Sequence, residues 1–353
     1  MENENNVKEV KITKSEKGNA SQFVKKSKKK WIFIIAIIAV LAVIIGFFYA
    51  KNRTKQVKDM SYTITYNSKK YVGSYTGLAK NGLPVEEGRF QSGSEGDSNY
   101  LIYEGSWKDG KMIGNGTLST NNYVLKNKDD GSVTGNYSGE ISTGIANGNG
   151  TFTAKDNSNK KYSYSGEWKS GLWDGQGELA YSDRSYWFVE KGNFTEGEYD
   201  PSFTDLIAAL GTRKDDCEFS LSDADRKYLK LNQKAFKKHK TSLINNKGKK
   251  FSLSGFKYDD DIDPTVTSVS GLTVFQMQKI ELGGKTLTRV LLADDLYDNP
   301  TVYSTYYYGK LKKINEGTRV SIDLMPLGYS TYKGVNNSSV WSVVGLVSEI
   351  NKK

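Results

Sequence analysis

Cysteine and histidine are almost missing from these 353 residues, with one of each, Cys217 and His239. A lone cysteine cannot close an intramolecular disulfide or contribute to a cysteine-rich metal cage, so the fold must be held by packing. The lone histidine lies among Lys237, Lys238 and Lys240, with no nucleophile or orienting acid beside it as catalysis would need. Cationic neighbours disfavour its charged form, and a place at the end of a helical segment fits C-terminal capping. Proline is scarce too, at five residues, whereas glycine reaches 35 and tyrosine 23. Many glycines and tyrosines with few long apolar helices describe turn-rich structure, so a mainly β fold is expected. The H-E-x-x-H, G-x-S-x-G and reactive-cysteine motifs are missing, and a non-enzymatic role is the expectation. A glycosidase pair of carboxylates needs no local motif, which keeps a wall-glycan hydrolase as the alternative.

The net charge of +10 is unevenly placed: residues 1–30 hold nine Lys and four Glu, residues 51–60 hold four Lys/Arg and one Asp, and residues 61–353 keep only +2. The bulk of the chain therefore lacks the basic face on which nucleic-acid binding rests, and no nucleic-acid partner is expected. The basic blocks flank WIFIIAIIAVLAVIIGFFYA, twenty uncharged residues from Trp31 to Ala50. A helix of that length, at about 1.5 Å per residue, crosses a hydrocarbon core of roughly 30 Å. Trp31 and Tyr49 suit the two interfaces, and nine basic residues before against four after place the N-terminus in the cytoplasm. A cleaved signal peptide would have an apolar run of about 7–15 residues closed by small side chains. This run ends in Phe47, Phe48 and Tyr49, and no Cys follows it for a lipoprotein anchor. The expectation is a basic cytoplasmic tail over 1–30, disordered over its polar stretch 1–24, a signal-anchor transmembrane helix over 31–50 and a basic linker over 51–60.

Beyond the linker the chain repeats itself. Tyr103, Gly105, Trp107, Gly110, Gly114 and Gly116 recur at identical spacing as Tyr137, Gly139, Ile141, Gly144, Gly148 and Gly150, and again as Tyr164, Gly166, Trp168, Gly171, Gly175 and Gly177. A looser copy (Tyr71, Gly73, Tyr75, Gly82, Pro84, Gly88) precedes them, and a truncated one without its opening Tyr (Gly192, Phe194, Gly197) follows. In a strand, residues i, i+2 and i+4 share a face, so Tyr103, Gly105 and Trp107 point one way. Lys108-Asp109-Gly110 is an Asp-Gly hairpin turn, and the return strand brings Gly114 and Gly116 back to leave room for the next repeat's rings. Gly110–Gly116 has the glycines of a phosphate loop without its Lys-Ser/Thr or its helix. Such hairpins stack into an elongated twisted sheet. The pattern resembles the MORN (membrane occupation and recognition nexus) repeat over roughly residues 71–199, and the resemblance implies protein contacts, self-association and membrane proximity. Tyr103, Trp107, Tyr137, Tyr164, Trp168 and Trp173 are the candidate binding surface, a platform of flat rings on which a sugar could stack, while structural stacking is the plainer use of the same rings.

After Pro201 the pattern changes. Leu206, Ile207 and Leu210 before Gly211 predict a short helix, and Ser222 with Asp225 predicts a capped start for a helix through about Lys238. Six segments then read as strands: KKFSLSGF, VFQMQKIEL, TLTRVLLAD, TVYSTYYYG, TRVSIDLMPLGY and VWSVVGLVSEI, with a Gly283-Gly284 hairpin turn between the second and third. About five strands, the first interrupted, resemble an OB-fold barrel of the kind found in envelope proteins of Gram-positive bacteria. Tyr303, Tyr306, Tyr307 and Tyr308 are either packing residues or a sugar-stacking set. The acidic groups Asp259, Asp260, Asp261, Asp263 and Asp294, Asp295, Asp298 lack EF-hand spacing, so no metal and no cofactor is expected. The expected organisation is a MORN-repeat hairpin domain over 61–200, a helical connector over 201–245 and an OB-like domain over 246–353. The expected function is a cell-membrane protein, single-pass and facing outward, whose repeat and barrel surfaces bind another envelope protein or wall polymer. Lipid recognition is a further alternative, disfavoured by the small charge of the outer part.

Overall fold

The computed structural model describes residues 31–47, 53–124, 132–156, 159–181, 188–213, 218–245, 266–294, 300–333 and 339–353. The tail over 1–30, Cys217 and the Asp259–Asp263 group lie outside the described residues, as do the segment KKFSLSGF, Asp295 and Asp298. Helix α1 occupies residues 31–47 with every side chain exposed. It is shorter than the twenty-residue span predicted for 31–50, whose last three residues are not described, and no helix among the described residues is long and apolar enough to cross a membrane. The transmembrane helix predicted over 31–50 therefore finds no support among the described residues.

Eleven strands in sequence order make one antiparallel sheet: β1 (Lys55–Tyr66), β2 (Lys69–Lys80), β3 (Leu83–Ser92), β4 (Leu101–Lys108), β5 (Lys111–Val124), β6 (Ser132–Ser142), β7 (Ile145–Lys155), β8 (Lys161–Lys169), β9 (Leu172–Tyr181), β10 (Glu190–Thr195) and β11 (Glu198–Tyr199). Strand β1 starts inside the stretch read as a basic linker, which corrects that boundary. Its alternation is masked in the sequence by Lys55, Lys58 and a bulge between Val57 and Met60. The looser and the truncated copies both fold as hairpins, β2–β3 and β10–β11.

The repeated hairpins turn through Asn81-Gly82, Asp109-Gly110, Thr143-Gly144, Ser170-Gly171 and Glu196-Gly197, each with positive φ at both positions. That is the twist-matched two-residue turn, and the second position is glycine every time. The last four turns are each tied to the hairpin before: Gly110 donates its N–H to Pro84 O, Gly144 to Met112 O, Gly171 to Ala146 O and Gly197 to Trp173 O, at 2.8–2.9 Å. Successive repeats are thus fastened at their tips as well as along their strands.

Two helices follow. Helix α2 (Phe203–Leu210) starts at Ser202, and α3 (Asp223–Lys238) starts with a capping box in which Ser222 and Asp225 each accept the other's backbone N–H. Both match the sequence expectation, except that Gly211 ends α2 in a right-handed conformation (φ −75°), so its chain position is kept while left-handed capping is not used. A closed barrel completes the chain: β12 (Thr267–Leu282), β13 (Lys285–Ala293), β14 (Val302–Tyr308), β15 (Arg319–Lys333) and β16 (Ser339–Lys352), ordered β12-β13-β14-β16-β15, with β14 and β16 parallel. The turn between β12 and β13 is Gly283-Gly284, both at positive φ.

One continuous core runs from the sheet into the barrel's outer wall. Phe194 and Tyr199 close the sheet, Phe203, Leu206, Ile207 and Leu210 of α2 and Leu229 and Phe236 of α3 fill the junction, and Leu287, Tyr306, Val344 and Leu346 receive them. A second core, including Val290, Leu292, Val320 and Val347, fills the barrel interior.

Candidate interaction surface

The six aromatic residues read as a binding platform are buried, from 0% exposure for Tyr103 and Tyr164 to 6% for Trp173. They form the spine of the sheet and offer no open face, which corrects that reading in favour of stacking. Each repeat tyrosine folds over a glycine on the return strand of its own hairpin. A Cβ on Gly88, Gly116, Gly150 or Gly177 would fall well inside van der Waals distance of Tyr75, Tyr103, Tyr137 or Tyr164 respectively. The ring therefore fills the glycine gap within its own repeat, where the sequence had suggested the next repeat's ring. The phenol then donates to the carbonyl three residues on: Tyr75 to Leu78, Tyr103 to Ser106, Tyr137 to Glu140 and Tyr164 to Glu167, at 2.7–2.9 Å. Tryptophan links neighbours. Trp107 donates Nε1–H to Gly88 O and Trp168 to Gly150 O, and each packs edge-on at 5.3 Å against the preceding repeat's tyrosine, Tyr75 or Tyr137. Burial raises the pKa of Tyr103, Tyr137 and Tyr164, so these phenols stay protonated donors.

With one face consumed, the alternating residues make the other. Glu104, Thr117, Ser138, Thr151, Ser165, Glu178 and Lys191 are register partners in turn across β4 to β10, a single row of hydroxyls and charges. Neighbouring strands lie about 4.8 Å apart, so four hydroxyls from Thr117 to Ser165 repeat over roughly 15 Å. Thr151 and Ser165 are hydrogen-bonded at 3.2 Å. The row is tied down from the same face: Glu140 Oε1 accepts from the Asn149 N–H and Glu167 Oε1 from the Gln176 N–H, at 3.0 and 3.1 Å. This is a flat, rigid, polar surface suited to contacts that read hydroxyl and amide spacing.

The barrel tyrosines are likewise packed. Tyr303 and Tyr307 point into the barrel interior, while Tyr306 meets Phe219 at 6.2 Å and Tyr308 meets Phe203 at 5.8 Å beneath the connector. His239 closes α3 in the left-handed conformation (φ 55°), and its ring stacks on Tyr307 at 4.1 Å and 15°. Its pKa is lowered by burial, where the sequence had assigned the same direction to the lysines.

Sequence reasoning missed Glu190. It stands where the tenth strand's copy of the repeat should open with tyrosine, two residues before Gly192 and four before Phe194. Burial, reinforced by Glu198, raises its carboxyl pKa to about 7. The missing tyrosine was the signal available for it.

MORN repeats are found at residues 103–123, 137–158 and 164–186, the three full copies of the hairpin. No curated protein shows a significant match to the chain. MORN repeats commonly mediate protein or membrane-lipid contacts, which is a binding role.

Proposed function

We propose that this chain is a membrane-attached interaction protein that presents the polar face of its hairpin sheet, outside the cytoplasm, to another envelope protein or to wall polymer. One observation carries the reading: the stacked MORN hairpins use every repeat aromatic for their own spine and leave a rigid row from Glu104 to Lys191 open to solvent. The β12-β13-β14-β16-β15 barrel fits the OB reading. The outer face of its β14, part of the surface on which OB barrels receive oligonucleotides and oligosaccharides, is engaged by the connector, with Tyr308 against Phe203 of α2 and Tyr306 against Phe219. That favours a mounting role for the barrel and a contact role for the sheet.

Membrane attachment through residues 31–50 rests on the uncharged run and on the exposure of the large apolar side chains of α1, from 44% at Ile44 to 73% at Phe33. Apolar side chains without protein cover call for lipid or a partner. A photoreactive residue placed at Ser138 or Thr151 in intact cells should give one dominant crosslinked species. Protease added to whole cells should remove residues beyond 60. Absence of crosslinks from the polar row, with crosslinks from β1 or the barrel instead, overturns the contact role. Protection of the sheet in intact cells overturns its outward placement.

A further inference from the structure

Where the polar row ends, the sheet meets the connector in a cleft of about 780 Å³. One wall is the last full repeat and β10, through Gln176 and Lys191. The opposite wall is Ala208 of α2, Thr212 just beyond its end, Phe219 and Leu221 of the segment before α3, and Arg226 in the first turn of α3. The volume lies in the range of ligand sites, roughly 300–1,000 Å³.

The charges that line it are not equally engaged. Asp205 takes the Ser202 hydroxyl at 2.7 Å and caps α2 with it, and Glu178 holds Lys191 at 3.0 Å. Arg226 differs. Among the described residues the partner of its guanidinium is Asp205 Oδ1 at 3.8 Å, beyond hydrogen-bond distance, and 45% of its side chain is open. A planar guanidinium with donors to spare, at the mouth of a cleft and beside the 78% exposed Lys191, is matched by a carboxylate, which it can hold through two parallel N–H···O bonds. The rest of that wall is apolar, with the partly open Phe219 placed for a side chain beside the nearly buried Leu221, and with Ala208 small enough for a main chain to approach.

We propose that this cleft binds a peptide segment of a protein partner through a carboxylate seated on Arg226, with an adjacent apolar side chain against Phe219 and Leu221. The cleft continues the polar row, so a partner lying along the sheet would place such a segment there. This deepens the interaction reading and rests on it only for the partner being a protein.

The test uses the full-length chain in detergent and a randomised pool of N-terminally labelled pentapeptides, made once as C-terminal free acids and once as amides. Retained peptides are identified by mass spectrometry, and the best are titrated by fluorescence polarisation. Free acids with Leu or Phe near the C-terminus should be enriched and bind at least tenfold more tightly than their amides. Arg226→Gln should abolish that preference, Arg226→Lys should keep part of it, and both variants should melt like the parent. Acetate titrated alongside tests for a carboxylate alone, and acetate competing at the same concentration as the best free-acid peptide would overturn the peptide assignment. Equal retention of acids and amides, an undiminished preference in Arg226→Gln, or no retention from either pool would overturn the proposal. If the crosslinks at Ser138 and Thr151 persist in Arg226→Gln while peptide selection fails, the cleft assignment falls and the sheet-face reading stands.

Discussion

Glu190 offers the sharpest test of how the repeat sheet is built. Its carboxyl sits in the tyrosine position of the last, truncated repeat, and burial beside Glu198 lifts its pKa from an ordinary 4.5 to about 7. A carboxyl whose pKa is raised on folding binds its proton more tightly in the folded chain. Below pH 4.5 both states are protonated and folding is unaffected. Between pH 4.5 and 7 the unfolded chain ionises first, so stability falls as pH rises, and above pH 7 the full loss is in place. At 1.36 kcal/mol per unit, a shift of this size corresponds to about 3 kcal/mol, and some solvent access at this partly buried site reduces it to roughly 1–3 kcal/mol. Glu190→Gln keeps the shape and removes the titration. Thermal melting of the full chain, followed by near-ultraviolet tyrosine and tryptophan signals from pH 4.5 to 8.5, should show parent and variant alike at the acid end. The variant should gain about 2–12 °C by pH 8, taking 2–4 °C per kcal/mol for a folded unit of this size. Parallel curves across that whole range would refute the buried-carboxylate assignment.

Four further outcomes follow from the same geometry. Gly150→Ala drives a Cβ into the Tyr137 ring and should cost about 1–3 kcal/mol by overpacking, measured by denaturant midpoint, whereas Gly284→Ala, with open space at its Cβ, should cost only its left-handed backbone strain of roughly 1 kcal/mol. Trp168→Phe removes the Nε1–H bond to Gly150 O at the joint between repeats and should lower stability by about 1–3 kcal/mol, since the buried carbonyl loses a donor. Ser222→Ala should cost about 1 kcal/mol through loss of the capping box, and restoring it with Asp should recover most of that. His239 has its pKa lowered, so its neutral form is the stable one in the fold. Stability should fall as pH drops through the unfolded histidine range near 6.5, and His239→Gln should flatten that fall in the melting curves.

The hairpins were legible because their chemistry is local and repeated. Asp109-Gly110 dictates its turn by backbone conformation alone, and the glycine gaps could be read from spacing, although it is Tyr103 of the same hairpin and not a neighbour's ring that fills the gap at Gly116. The capped start of α3 at Ser222 was legible for the same reason. What stayed hidden depends on partners far away in sequence. Strand β1 carries Lys55, Lys58 and Asp59 around a bulge, and only its pairing with β2 makes it a strand. Stacking was the plainer sequence reading of the six candidate platform residues, but how completely they are buried follows from stacking repeat on repeat, which no single repeat discloses. Arg226 and Lys191 are 35 residues apart in sequence, and neither has a motif that would have named it.

The covered wall of the barrel bears on how the molecule divides its labour. Leu287, Tyr306, Val344 and Leu346 point outward from the barrel, and in a free barrel they would be a large apolar face. Here Phe203 and Phe236 of the two helices meet that face, and Thr241 fixes the arrangement through Glu349 at 3.0 Å and Ser348 at 2.9 Å. Burying four such side chains at about 1.5–3 kcal/mol each makes detachment of the connector costly on any physiological timescale. A ligand that needed the β13–β14 face would have to displace that packing before binding, whereas one that reads the sheet's polar row meets no such barrier. The proposed contact role therefore fits the hairpins better than the barrel, whose outer wall is already engaged by the connector.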